Sequence, residues 1–97
     1  MNFALTAYDR PGALPLRLEV RPAHLDYLRA IAANIVFAGP VLDAEGKPCG
    51  SIIVYEAEDL AAAQKLVNDD PYSHAGLFER VELKGYRVVV KDGVVAA

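Results

Sequence analysis

Several residue types that define disulfide-linked or metal-binding proteins are scarce or missing in this chain. Tryptophan is absent, and Cys49 is the only cysteine in 97 residues. One thiol excludes an internal disulfide, and it excludes any metal site built from several thiolates of one chain. Because unpaired cysteine is typical of a reducing compartment, we expect a cytoplasmic protein.

Positive charge and long apolar runs are also scarce. Ten Lys and Arg residues against thirteen Asp and Glu residues give a formal net charge of -3. The basic residues are scattered, so we expect no nucleic-acid partner. No apolar stretch approaches the roughly 18 residues of a membrane span, and no signal peptide is apparent at the N-terminus. We therefore expect no membrane partner either.

Small hydrophobic residues, in contrast, are abundant enough to fill one core. Hydrophobic residues make up 54% of the chain. A chain of this length has room for one domain, which we place at residues 1–97. A domain this small leaves part of any sheet uncovered, and this favours a homodimer.

The hydrophobic periodicity predicts the order β-α-β-β-α-β. This order is typical of an α+β, ferredoxin-like sandwich, in which two helices cover one face of an antiparallel sheet. The predicted strands are 3–8, 35–42, 50–55 and 79–90, and the predicted helices are 22–34 and 60–67. Residues 94–97 are predicted to form a short added strand or a tail.

Prolines and short polar residues set the predicted boundaries. Pro22 is suited to a first helical position, so the segment from Asp9 to Val20 is interpreted as a long loop. Pro40 cannot donate to a neighbouring strand, and it predicts an edge strand or a bulge. Asp59 is predicted to cap the second helix.

His24 is the first residue suited to chemistry, since it falls on the buried face of the first predicted helix. It recurs with Leu28 and Ile31 at i, i+4 and i+7 spacing. Backbone N–H groups in the first turn of a helix favour the neutral imidazole, which can act as a base near neutral pH. A core histidine bonded to a backbone carbonyl is the other interpretation.

Asp70 is the candidate partner of His24, because it lies where the second predicted helix ends. Pro71 ends that helix and favours an extended backbone at Asp70. A carboxylate in this place can orient a histidine for acid–base work. Asp before Pro is also a common turn residue, and Asp69 offers the same chemistry, so the residues alone leave these alternatives open.

Weaker candidates flank these two residues. Arg17 and Arg21 can bind an anionic substrate or Asp70, or they form a solvated pair. Ser51 can offer its hydroxyl to a ligand, or it is an ordinary strand residue. Tyr8 and Asp9 are assigned structural roles. The two histidines and scattered carboxylates show no metal-ligand spacing, and no phosphate-binding glycine loop is present, so we expect no metal and no cofactor.

Five short blocks, in order along the chain, resemble the YciI-like (YCII-related) family. They are RLxVRPAHL at 17–25, AGP at 38–40, GS at 50–51, DPY at 70–72 and AG at 75–76. The resemblance implies a ferredoxin-like domain that forms a dimeric α+β barrel. It also implies an active site that pairs a histidine with an aspartate, here His24 and Asp70. Tyr72 fixes the alignment of Asp70 rather than Asp69, and it is expected to line the substrate site by packing.

The resemblance further implies proton transfer on small ring compounds without a cofactor. One branch of the family resembles enzymes that eliminate chloride from chlorinated hydroxyquinones, and related barrels isomerise muconolactones. The turn between Pro40 and Gly50 is shorter here than in longer relatives, so the substrate itself cannot be carried over.

Three functional hypotheses follow. The first is a cofactor-independent lyase or isomerase that uses a His24–Asp70 dyad on a small cyclic or anionic compound. The second is a non-catalytic ligand-binding or interaction module, in which the same two residues hold helices together. The third is a haem-binding relative with a histidine as axial ligand.

Overall fold

The computed structural model describes residues 1–96, and ten segments of regular structure occur along them. The segments are β1 (Asn2–Asp9), α1 (Leu14–Ala30), a 3-10 turn (Ala32–Asn34), β2 (Ile35–Leu42), β3 (Pro48–Glu56), α2 (Leu60–Asn68), α3 (Pro71–His74), β4 (Phe78–Tyr86), β5 (Val90–Lys91) and β6 (Val94–Val95). Apart from β5, β6 and the short α3, this is the predicted β-α-β-β-α-β order.

The four long strands form one antiparallel sheet in the order β2-β3-β1-β4. In the sheet centre, Leu5 pairs with Ile53 on one side and with Leu83 on the other. This strand order places each helix as a crossover between two strands that are separated by a third. The α+β, ferredoxin-like fold class is therefore confirmed.

The core lies between the sheet and the helices. Side chains alternate along β1, so that Phe3, Leu5 and Ala7 are buried on the helix-facing side. Helix α2 contributes Ala63 and Val67, as predicted, and the Asp59 side chain accepts a hydrogen bond from the Ala62 N–H at 2.8 Å. The predicted helix cap is confirmed.

Leu60 does not contribute to this core, although the helical periodicity placed it inward. It is half exposed. Leu60 is the first residue of α2, and of the three residues predicted to face inward only Ala63 and Val67 are buried.

Helix α1 begins eight residues earlier than predicted. The segment assigned to a long loop is mostly helical, and Pro22 lies inside the helix rather than at its start. Pro15 occupies the first turn instead, where a missing N–H leaves no broken helical bond. Two prolines thus compete for the same role, and spacing alone does not decide between them. His24 is consequently in the interior of α1, so the unpaired backbone N–H groups of the first turn do not act on its imidazole.

The last predicted strand is also shorter than expected. Strand β4 ends at Tyr86, which pairs with Asn2, because β1 offers no further partner beyond that residue. The chain then forms a separate hairpin from β5 and β6, with Val90 opposite Val95. A short added strand is thus present at residues 94–95, and Ala97 lies outside the described residues.

No helix or strand among the described residues 1–96 covers the sheet face away from the helices. The strand alternation places Tyr8, Ile52 and Tyr86 on this face, where their exposed fractions are 41%, 42% and 49%. Strand β2 is an edge strand, as Pro40 predicted, and its pairing with β3 is irregular at two places. Within residues 1–96, no helix is both long enough and apolar enough to cross a bilayer.

Candidate active site

A cavity of about 360 Å³ opens between α1 and the hairpin formed by β2 and β3. The helix contributes charged and apolar side chains, and the hairpin contributes mainly small and apolar ones. The lining residues include Arg17, Arg21, His24, Leu25, Pro40, Ser51, Ile53 and Tyr72. Five of the six predicted site residues therefore lie on the wall of one cavity. The sixth, Asp70, is hydrogen-bonded to His24.

The imidazole of His24 is bound to Asp70 at one nitrogen. His24 Nδ1 lies 2.8 Å from Oδ1 and 3.0 Å from Oδ2 of Asp70, and both residues are buried. A carboxylate only accepts hydrogen bonds, so Nδ1 must carry the proton. In the neutral ring, Nε2 is then the nitrogen with a free lone pair, and His24 lines the cavity.

Asp70 is fixed by the local sequence. Pro71 favours extended backbone at the preceding residue, and Asp70 adopts φ -66° and ψ 131°. In this conformation Asp70 is the N-cap of α3, and its Oδ1 accepts the Tyr72 N–H at 2.9 Å. The predicted end of α2 at Pro71 thus becomes the start of α3. Asp69, the alternative carboxylate, instead binds Lys65 at 2.9 Å in solvent.

The ring of Tyr72 contacts two side chains of α1, those of His24 and Arg17. It stacks on His24 with ring centroids 3.9 Å apart and planes 17° from parallel. The guanidinium carbon of Arg17 lies 4.7 Å from the centre of the same ring, which is a cation–π distance. Residues 17 and 24 are two helical turns apart on one face of α1, about 10 Å along the axis. Tyr72 fills the space between them.

Arg17 is buried and bound to Asp9, which neither of its predicted interpretations included. Its Nε donates to Asp9 Oδ2 at 2.7 Å, and its Nη2 donates to Asp9 Oδ1 and to Ser51 Oγ, both at 2.9 Å. The Arg17 and Asp9 side chains are 4% and 6% exposed. Nη1 takes part in none of these three bonds. A buried, paired guanidinium with one nitrogen outside such bonds can bind a ligand oxygen.

Arg21 remains a candidate for substrate binding, and Asp9 makes a contact that the sequence did not predict. Arg21 lies on the cavity wall but is exposed, and it contacts neither Asp70 nor Arg17 through a hydrogen bond among the described residues. The sequence favours a structural role for Asp9, and the structure shows that its carboxylate binds Arg17. The alternation of β1 carried the signal, since Asp9 shares the inward side of Leu5 and Ala7.

Comparison with known proteins identifies the family of this chain. A sequence model of the YCII-related domain matches residues 1–87. The chain belongs to the YCII-related family. It is 34% identical to protein YciI of Escherichia coli O6:H1 over 97 residues, which covers 92% of this chain and 99% of that protein.

Solved structures agree with this assignment. The 5-chloro-2-hydroxyhydroquinone dehydrochlorinase of Burkholderia phenoliruptrix AC1100, in complex with 2,5-dihydroxybenzoquinone, is 34% identical; the match covers 90% of this chain and 94% of that one, with a TM-score of 0.85. PA3566 from Pseudomonas aeruginosa is 17% identical, over 90% and 92% of the two chains, with a TM-score of 0.54. The latter shares the fold alone. This YCII-related chain thus has the fold of a small-molecule enzyme.

The charges of the YCII-related site are set by burial and pairing. Burial lowers the pKa of Arg17, but the bound Asp9 carboxylate outweighs it and raises the pKa above its ordinary value, so the guanidinium stays charged. Burial raises the pKa of the Tyr72 phenol, and the Arg17 cation opposes this shift without reversing it. Tyr72 therefore stays protonated at neutral pH. Among residues 1–96, no three histidine, cysteine or carboxylate side chains converge to hold a metal ion.

A second tyrosine lies behind the dyad. The Tyr55 hydroxyl is buried without a hydrogen-bond partner among the described residues. Burial raises the pKa of this phenol, and the nearby Asp70 charge adds to the rise. Tyr55 therefore stays protonated beside Asp70, and we do not expect it to donate its proton.

The geometry predicts the tautomer of His24. Neutral His24 is expected to carry its proton on Nδ1, because both oxygens of Asp70 accept there. Two-bond 1H–15N correlation spectra distinguish the tautomers directly. The exposed His74 serves as the internal control and should show the mixture of free histidine. A proton found on Nε2 of His24 would contradict the proposed site.

Proposed function

We propose that the cavity is the active site of a cofactor-independent enzyme that moves a proton on a small, oxygenated ring compound. The observation that carries this proposal is the arrangement of His24. Its Nδ1 is bound by a buried carboxylate, and its other nitrogen is left available in a cavity that also contains a buried arginine. Paired groups of this kind are typical of general acid–base sites.

In this mechanism His24 takes a proton from the substrate through Nε2. Asp70 holds the ring in the tautomer that leaves Nε2 unprotonated, and its charge stabilises the imidazolium that forms. Nη1 of Arg17 binds the substrate oxygen on which negative charge grows. The stacked Tyr72 fixes the separation of the base and the cation, while Arg21 and Ser51 complete the substrate-binding wall.

Elimination is the reaction class that the comparisons favour. The dehydrochlorinase is similar over nearly the whole chain and acts, by its name, on a chlorinated hydroquinone. On a chlorinated hydroquinone, one hydroxyl first becomes a carbonyl as its proton moves to the adjacent ring carbon that carries chlorine. The base then removes the proton of a second hydroxyl, whose O–H electrons form the second carbonyl. The neighbouring ring C=C pair shifts to the carbon that carried chlorine, and chloride leaves with the C–Cl pair. An isomerase would use the same base and return the proton to another carbon.

A non-catalytic ligand-binding module is the second candidate. The same contacts join separate elements, since the His24–Asp70 bond links α1 to α3 and the Arg17–Asp9 bond links α1 to β1. Under this hypothesis the dyad stabilises the fold, and the cavity binds a ring compound without converting it.

The proposed assembly is a homodimer in which two sheets pack through their uncovered faces. Half-exposed aromatic and aliphatic side chains on that face support it. Sedimentation at micromolar concentration is expected to give the mass of two chains, and a stable monomer would contradict the proposal. The cytoplasmic location stays a prediction from the sequence.

The function is tested by supplying 5-chloro-2-hydroxyhydroquinone to the purified protein and measuring chloride release. Release that depends on the protein is expected, and a variant that lacks the His24 base is the control. Tight binding of 2,5-dihydroxybenzoquinone without turnover of any chlorinated or unsaturated ring would favour the binding module. Neither binding nor turnover would contradict the proposed substrate class.

A further inference from the structure

The Arg17 guanidinium is bound at two of its three nitrogens. Asp9 takes the Nε and Nη2 hydrogens in a two-point contact at 2.7 Å and 2.9 Å, and Ser51 adds a third bond to Nη2. Paired, coplanar hydrogen bonds of this kind fix both the position and the rotation of a guanidinium. Nη1 is left over, in a side chain that lines the cavity.

The end of β1 delivers Asp9 to this contact. Asp9 is the last residue of the strand and falls on its helix-facing side, after Phe3, Leu5 and Ala7. The pairing of β1 with β4 shifts register between Tyr8 and Asp9, so that Asp9 lies opposite Phe78. The residue without a partner in this bulge is Glu79 of β4, and bulges are frequent beside active sites.

We propose that Asp9 is a positioning residue of the active site, which holds Arg17 so that Nη1 meets the substrate oxygen that becomes negative when His24 takes its proton. This inference rests on the proposed function and extends it by one residue. Asp9 does not touch the substrate. It acts through Arg17 by removing the freedom of the guanidinium to rotate or to bind elsewhere.

A second aspartate–arginine pair, with both residues on α1, offers a matched control. Arg29 Nη1 donates to Asp26 Oδ1 at 2.8 Å, but these side chains are 72% and 78% exposed and lie away from the cavity wall. Removing the charge of Asp26 therefore changes the net charge of the protein by the same amount as removing that of Asp9. Only Asp9 is connected to the cavity.

The test compares four proteins: wild type, Asp9→Asn, Asp9→Glu and Asp26→Asn. The probe is 2,5-dihydroxybenzoquinone, and its dissociation constant is measured by absorbance titration. We expect both Asp9 variants to bind about tenfold more weakly or worse, the loss typical of one misplaced hydrogen bond to a charged group. Asp26→Asn is expected to bind like wild type. Asp9→Glu keeps the charge and moves it, so its weaker binding separates positioning from charge balance.

A second measurement does not depend on any ligand. The 15N–1H NMR signals of the Arg17 guanidinium should be separate for Nη1 and Nη2 in wild type, because rotation is blocked, and averaged in Asp9→Asn. If wild type does not bind the quinone, the proposed substrate class fails and these signals alone decide the role of Asp9. Wild-type affinity in both folded Asp9 variants, or separate guanidinium signals in Asp9→Asn, would overturn the inference. The wild-type signals test the fixation without any variant, because averaged Nη1 and Nη2 signals in wild type would also overturn the inference.

Discussion

Replacing His24 by asparagine is expected to lower turnover by about 10²- to 10⁴-fold, the contribution typical of a positioned general base. The asparagine amide can still donate to Asp70 from near the place of Nδ1, while the lone pair of Nε2 is lost. The free energy of unfolding should therefore change little. Steady-state rates on a chlorinated hydroquinone, with a thermal melt of the same sample, measure both quantities.

His74→Asn is the control for this experiment, since His74 is the other histidine of the chain and is exposed. It should leave both turnover and stability unchanged. If His24→Asn retains wild-type turnover, the base lies elsewhere. If His24→Asn instead loses stability and the wild type has no turnover, the structural interpretation of the dyad is favoured.

Replacing Arg17 by methionine is expected to destabilise the protein by about 3–5 kcal/mol, because it leaves the Asp9 carboxylate buried without its partner. Methionine fills much of the same volume, so the effect reports the lost ion pair more than a cavity. Urea unfolding monitored by circular dichroism measures the change. Ligand binding should be lost as well, even under conditions in which the variant is fully folded.

Arg29→Met provides the comparison, because the Arg29–Asp26 pair is exposed and spans one turn of α1. Its effect on the free energy of unfolding should be about 0–1 kcal/mol. Equal destabilisation by the two substitutions would show that the Asp9–Arg17 pair is hydrated in solution. The burial of the Asp9 and Arg17 side chains, on which the proposed site depends, would then be wrong.

The fold was predictable because its signals are local and repeat. Alternation along β1, the proline in β2 and the cap at Asp59 each act within a few residues, and together they give the observed order. The start of α1 was not predictable in the same way. Pro15 and Pro22 are both acceptable first-turn residues, and the Arg17–Asp9 contact that joins the earlier part of α1 to β1 is outside any local pattern.

The candidate site shows the same division between local and distant information. The pairing of His24 with Asp70 was expected from the family resemblance, and Pro71 already fixed the backbone of Asp70. The link between Asp9, Arg17 and Ser51 joins three elements through side chains that are far apart in sequence or separated by a turn. The hydrophobic periodicity of a single helix or strand cannot predict such a contact, so the sequence favours a structural role for Asp9.

His24 and Arg17, the proposed base and cation, lie on one helix, while the opposite wall of the cavity comes from the hairpin of β2 and β3. Small residues such as Ala38, Pro40 and Pro48 line that wall and make no contribution to the charged cluster. Substitutions in the hairpin can therefore reshape the room for a ligand while the spacing of the reactive groups on α1 is preserved. Under the proposed function, a lineage with this architecture can acquire new substrates by exchanging a few hairpin side chains while it keeps the same proton-transfer residues.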